Sequence, residues 1–258
     1  MTRIFDALKK ARGGGAPTEV MPPAAPAHSS SIHAVMNRGA AAVSAARHSF
    51  DRADLIPIGP VAPMDETVAR EMSTLRVILE SSLTERLPRS VMLTSSQAGE
   101  GTTTVTLQFA QTLVAEAAHR VLILDANPRL RSPFYEAAID AMRAGEGRGR
   151  AAMDLLSLSD CVRRFGPMNV AAIRDLLETV SAGYDWVLVD SPALLESPDT
   201  APLAAQFDAV VVVVQAGRTK RPVLVRATDL LRRSGANVVG TVLNRRRLEI
   251  PDFIYRRI

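Results

Sequence analysis

The chain has 258 residues, 47% hydrophobic and 22% charged, enough apolar material for one sizeable core and too much for a chain disordered throughout. Thirty-one Lys and Arg against 27 Asp and Glu leave a formal +4, a surplus that does not require a nucleic-acid partner and is compatible with a phosphate ligand or an anionic surface. One cysteine, Cys161, excludes an internal disulfide.

Residues 1–12, MTRIFDALKKAR, place Ile4, Phe5 and Leu8 on one side of a short amphipathic helix ringed by Arg3, Lys9, Lys10 and Arg12. This stretch has no apolar core of signal-peptide length. Residues 13–49 hold 4 Gly, 4 Pro, 10 Ala and 5 Ser, too few large apolar groups to offset the entropy of ordering. With Pro57, Pro60 and Pro63, they read as a flexible linker over 13–63. His28, His33 and His48 fall inside it, where no fixed ligand geometry would favour a metal. From Met64 to Leu83 the spacing of Val68, Met72, Leu75 and Leu79 predicts a helix, and the folded domain is expected over 64–258.

Beyond Ser90, short apolar runs alternate with helical patterns. The runs are VMLT (91–94), VLILD (121–125), WVLVD (186–190), AVVVVV (209–214) and VVGTVLN (238–244); the helices are 103–118, 170–182, 200–206 and 221–233. Runs apolar on both faces suit a parallel sheet covered by helices, so the expected fold class is α/β, a doubly wound, mostly parallel sheet with its ligand at the carboxyl ends of the strands. The longest pure run, Val210 to Val214, is far below the roughly 18 residues of a spanning helix. Together these features place the chain in the cytoplasm, with any membrane contact peripheral or through a partner.

The first strand runs into SSQAGEGTTT, residues 95–104, and then a helix. That is the setting of a phosphate-binding loop, in which backbone amides and a helix N-terminus face an anion. Against the pattern G-x-x-x-x-G-K-[ST], Gly101 matches the second glycine and Thr103 the magnesium-binding hydroxyl, whereas Ser96 stands at the first glycine and Thr102 at the lysine. Asp125 and Asp190 end two strands at the same expected sheet edge, where carboxylates hold magnesium or orient a nucleophile. This makes them the candidate catalytic residues, with Thr103, Asp125 and Asp190 the candidate metal ligands.

These motifs resemble the bacterial tyrosine kinases of capsule and exopolysaccharide biosynthesis, within the superfamily of septum-positioning and partition P-loop ATPases. The resemblance covers about residues 64–258 and the opening RIFDALKKA. SSQAGEGTTT is similar to the family's phosphate loop, keeping Gly99, Glu100 and Gly101; LILDANPRLRSP resembles its second motif, keeping Asp125 and Arg129 with Asn127 in place of a second acid. VLVDSPA looks like its Walker B with Asp190, and VLN carries over Asn244, which the resemblance sets against the adenine. It implies ATP and magnesium as cofactors, with Gly99, Glu100, Gly101, Thr102, Thr103, Thr104, Arg129 and Asn244 around the nucleotide. It also implies a membrane-embedded polysaccharide chain-length regulator as partner, with self-association or an active paralogue alongside.

The departures fall on activity and assembly. Gln97 stands at the partition ATPases' signature lysine and Thr102 at the shared one. The family's tyrosine-rich tail is reduced to Tyr255, and its E-x-x-R-x-x-R motif aligns with Arg70, Ser73 and Arg76, one residue of three. The stretch between Asp125 and Asp190 is short and carries GEGRGR. Three readings remain. The chain is a degenerate kinase that senses nucleotide or serves as a structural partner; or it is a competent kinase or ATPase in which Lys220, Arg129 or a partner's arginine replaces the lysine; or it is a positioning-type ATPase relative that binds DNA or membrane through Arg245, Arg246, Arg247, Arg256 and Arg257.

Overall fold

The computed structural model describes residues 55–59, 64–85, 87–129, 131–144 and 153–245. The amphipathic stretch 1–12, most of the expected linker, the GEGRGR patch and residues 246–258, with Arg246, Arg247, Tyr255, Arg256 and Arg257, lie outside them.

Seven strands form one sheet: β1 Ile56–Pro57, β2 Arg89–Ser95, β3 Val121–Asp125, β4 Met153–Ser157, β5 Trp186–Asp190, β6 Ala209–Gln215 and β7 Val238–Asn244. Their spatial order is β1-β4-β3-β5-β2-β6-β7, parallel throughout except for the antiparallel β1. The helices are α1 Glu66–Ser82, α2 Thr102–Ala117, α3 Pro133–Arg143, α4 Leu158–Phe165, α5 Val170–Val180, α6 Thr200–Ala204 and α7 Arg221–Arg233. The expected α/β architecture is borne out. None of the described helices is long and apolar enough to cross a membrane.

Both faces of the inner strands are covered, which is why those strands read as unbroken apolar runs rather than as alternation. Side chains of period two divide between two cores. Val91, Leu93, Val121, Ile123, Trp186, Leu188, Val211 and Val213 face one that includes Leu79 of α1 and Phe109 and Leu113 of α2. Met92, Leu122, Leu124, Val187, Val189, Val210 and Val212 face another, closed by Ile173 and Leu176 of α5 and Leu231 of α7. Each fully buried Leu or Val contributes about 1.5–3 kcal/mol, so the central strands are firmly held among the described residues. Two helices start on side-chain caps: Asp65 accepts the Thr67 amide at 2.7 Å, and Asn169 accepts the Ala172 amide at 2.8 Å.

The sheet begins earlier than the linker boundary at 63 allows. Ile56 and Pro57 pair with Leu155 and Asp154, and Leu55 and Ile58 are buried; a proline is tolerated there because β1 is an edge strand. The apolar residues on either side of Pro57 gain a place in the core, which outweighs the local turn signal.

Candidate nucleotide site

The strand order sets β2 between β5 and β6, with β3 beyond β5. The phosphate loop therefore leaves the sheet beside two strands that end in aspartates. Asp125 and Asp190 are register partners across β3 and β5, and Asp190 in turn pairs with Leu93 of β2. Both carboxyls are buried, at 2% and 5% exposure.

Each is held by hydrogen bonds. Asp125 accepts the amides of Asn127 at 3.2 Å and Ser132 at 3.0 Å. Burial raises its pKa above the ordinary carboxylate value, while those two amides and the charge of Arg131 oppose the rise. Asp190 accepts the Tyr135 hydroxyl at 3.0 Å and is hydrogen-bonded by the Thr103 side chain. Burial pushes its pKa up to about 7; the Thr103 and Tyr135 hydroxyls pull it down and the Asp125 charge pushes it up. Burial, with the Asp190 and Asp125 charges, holds the Tyr135 hydroxyl well above its ordinary pKa. Tyr135 therefore stays protonated and remains a donor. Two buried carboxyls in register, both with raised pKa, and a threonine hydroxyl bonded to one of them fit a divalent cation, whose charge would replace the proton.

Helix α2 begins after Gly101, which has φ +96° and caps the helix without a side-chain hydrogen bond. The first-turn amides of Thr102, Thr103 and Thr104 have no intrahelical acceptor, and those of Gly99, Glu100 and Gly101 meet no acceptor among the described residues. An uncapped helix N-terminus of this kind fits a phosphate. The earlier loop amides are committed elsewhere. The Glu100 carboxylate, 3% exposed, takes the Ser96 amide at 2.8 Å, the Ser96 hydroxyl at 2.9 Å, the Gln97 amide at 3.1 Å and the Thr219 hydroxyl. Glu196 takes the Ala98 amide at 2.7 Å. The loop after β5 also lies along the phosphate loop, Leu194 N–H donating to the Ser95 carbonyl at 2.8 Å and Leu195 N–H to that of Ser96 at 3.3 Å.

Asn244 sits at the end of β7, where its side-chain amide donates to the Glu100 carbonyl at 2.9 Å and packs on Gly101. A Cβ on Gly101 would lie 2.1 Å from Asn244 Nδ2, so close approach as well as positive φ requires glycine here. The side chain set against the adenine by resemblance thus braces the loop. Arg129 is exposed, its amide bonded to Asn127 Oδ1 at 3.1 Å. Arg131 lies nearer Asp125, but its guanidinium pairs with Glu136 at 2.9 Å and with Asp160. Thr102, at the lysine position, is buried. Arg76 of α1, the residue kept from the E-x-x-R-x-x-R motif, is engaged within the chain, with Glu80 at 2.9 Å and Glu116 of α2 at 3.4 Å.

Sequence reading misses Tyr135, Glu196 and Thr219 as parts of the site. Tyr135 had a legible signal: Ser132-Pro133 opens a helix with proline at its first position, and Tyr135, Ala138 and Ile139 follow at core spacing. Glu196 and Thr219 had none, because long-range contacts alone bring them to the loop.

Relatives in sequence lead to the same class of protein. The tyrosine-protein kinase YwqD of Bacillus subtilis is 24% identical over 202 residues, covering 70% of this chain and 82% of that protein. The tyrosine-protein kinase CpsD of Streptococcus agalactiae is 25% identical over 171 residues, 59% of this chain and 73% of that one. The resemblance to bacterial tyrosine kinases is borne out. In fold, the chain superposes on the kinase domain of the Escherichia coli tyrosine kinase ETK with a TM-score of 0.54 at 21% identity, covering 71% of this chain and 79% of that domain. No protein-family model matches the sequence.

Proposed function

We propose that this kinase-like P-loop protein binds magnesium-ATP weakly and transfers phosphate poorly or not at all, serving polysaccharide assembly as a nucleotide-sensing partner. One observation carries the reading: the helix end is open and two buried carboxyls lie beside it, yet acids surround the loop and, among the described residues, Thr102 stands where the phosphate-facing lysine would be. Glu100 and Glu196 hold the early loop amides, Asp125 and Asp190 lie beneath, and Arg131 is paired with Glu136 and Asp160. In this site Thr103, Asp125 and Asp190 would hold the magnesium, and the amides from Gly99 to Thr104 the phosphates. The metal would supply the charge neutralisation that bound phosphates need. Loss of one preorganised group that stabilises transition-state charge costs about 2.7–4 kcal/mol, roughly 10² to 10³ in rate, and Thr102 removes such a group.

The resemblance supplies the setting, a membrane-embedded chain-length regulator at the cytoplasmic face of the inner membrane. Residues 1–12 and the linker would act as a tether between the two. A second reading has its own support. The Thr219 hydroxyl bonds Glu100, and Lys220 is the next residue in the chain, so its side chain is a candidate to replace the missing lysine. Incubation with magnesium-ATP followed by mass spectrometry separates the two. The proposal expects no phosphotyrosine; stoichiometric phosphate on Tyr255 or another tyrosine, lost in both Asp190→Asn and Lys220→Ala, would establish the second reading instead.

A further inference from the structure

Helix α7 carries charge that the fold does not explain. Over residues 218–233 there are six basic residues, Arg218, Lys220, Arg221, Arg226, Arg232 and Arg233, against the single acid Asp229. The formal charge of this one stretch exceeds the +4 of the whole chain. Asp229 is already paired with Arg232 at 2.7 Å. Among the described residues, Lys220, Arg221, Arg226 and Arg233 have no carboxylate partner, and all four are exposed. Lys220 and Arg221 sit at the helix N-terminus, whose first turn has no acid; cations there oppose the helix dipole and weaken the helix. A positive charge retained where it costs the fold stability calls for an anion outside it.

The apolar part of the face narrows the choice of anion. While Leu231 and Ala227 are buried against the sheet, Val225 and Leu230 are 48% and 36% exposed and lie among the arginines on the outward side. With Arg221, Pro222, Arg226, Asp229 and Arg233 they line one open recess along the helix. From Arg221 to Arg233 this row is about 18 Å long. It is linear, rich in arginine, suited to paired contacts with phosphate oxygens, and carries two aliphatic side chains at its middle. A nucleic-acid backbone would leave Val225 and Leu230 against charged phosphates, and the face offers no aromatic ring for a base to stack on. A lipid interface satisfies both parts: headgroup phosphates meet the guanidinium groups and the acyl boundary takes the aliphatic pair.

We infer that the outward face of α7 is a docking surface for anionic phospholipid, lying flat on the membrane. The binding is electrostatic first, so it weakens as salt rises.

Co-sedimentation of the full chain with vesicles tests this. The probes are phosphatidylcholine alone and phosphatidylcholine mixed with phosphatidylglycerol, each at low and near-physiological ionic strength. The inference expects binding to the mixed vesicles only, reduced by salt. Reversing three charges, Arg221→Glu with Arg226→Glu and Arg233→Glu, should weaken it by about a hundredfold with the melting temperature of the protein preserved. If that variant does not fold, Arg226→Gln with Val225→Ser touches only exposed positions and should still lower the bound fraction severalfold. Equal binding to neutral vesicles, anionic binding undiminished by folded variants, or stronger retention on duplex DNA than on vesicles would each overturn it.

Discussion

Beneath the loop, at the ends of β3 and β5, the protein buries Asp125 and Asp190 in register; around Gly101, on the loop itself, it buries Glu100. The two regions differ in what satisfies the acid. Glu100 has two amides and two hydroxyls donating to it, and its charge stiffens the loop. Asp190 has only two hydroxyls and a neighbouring carboxyl, and burial leaves it half protonated near pH 7. Burial alone does not mark a site of chemistry. A buried acid whose hydrogen bonds are complete is part of the scaffold, whereas one whose charge is left short of partners has capacity for a cation.

The largest effect expected from this contrast is on stability against pH. The folded pKa of Asp190 is raised from the ordinary 3.8 to about 7, so between those values the native state binds more protons than the unfolded state. Stability from this group is therefore present at low pH and lost as pH climbs through that window, by up to ~4 kcal/mol. The raised Asp125 acts in the same direction. Urea unfolding at pH 5 and pH 8 should show a difference between wild type and Asp190→Asn that grows with pH in favour of the asparagine. A constant difference would mean that Asp190 is already charged at low pH and needs no cation. Magnesium should narrow the gap at pH 8 by binding the wild-type carboxylate.

A smaller effect sharpens the other side of the comparison. Gly101→Ala places a Cβ against Asn244 at a positive φ and should cost about 1–2 kcal/mol. Combining it with Asn244→Ala should recover only the steric part, because the backbone conformation remains unfavourable for alanine. Full recovery in the double variant would show that the left-handed turn at Gly101 is unstrained and that the loop is not braced as described.

The sheet and the site were legible to different depths, for physical reasons. Strands β2, β3, β5 and β6 are buried on both faces, so their sequences carry an unmistakable apolar run. Strand β4 is not so marked: Asp154 interrupts it, and Ser157 passes directly into α4 with no turn residue between. Its place comes from pairing with β3 and from the Tyr184 hydroxyl bonded to Asp154, neither of which local pattern encodes. In the site, Asp125, Asp190 and Thr103 were readable because a strand end and a helix start fix them. The bond from Thr219 to Glu100, and the packing of Asn244 on Gly101, depend on segments brought together from over a hundred residues apart. The charge of α7 was present in the sequence all along, but only the burial of Ala227 and Leu231 separates its outward face from its inward one.

The open end of α2 and the Asp125–Asp190 pair are in place, and the lysine position holds Thr102. Calorimetric titration of magnesium-ATP into the wild type and the Thr102→Lys variant measures what that substitution costs. Wild-type affinity should be weaker than micromolar, and binding at least about tenfold tighter once the lysine is supplied, the scale of one charge-assisted contact. Sub-micromolar binding by the wild type, unchanged by Thr102→Lys, would contradict this expectation.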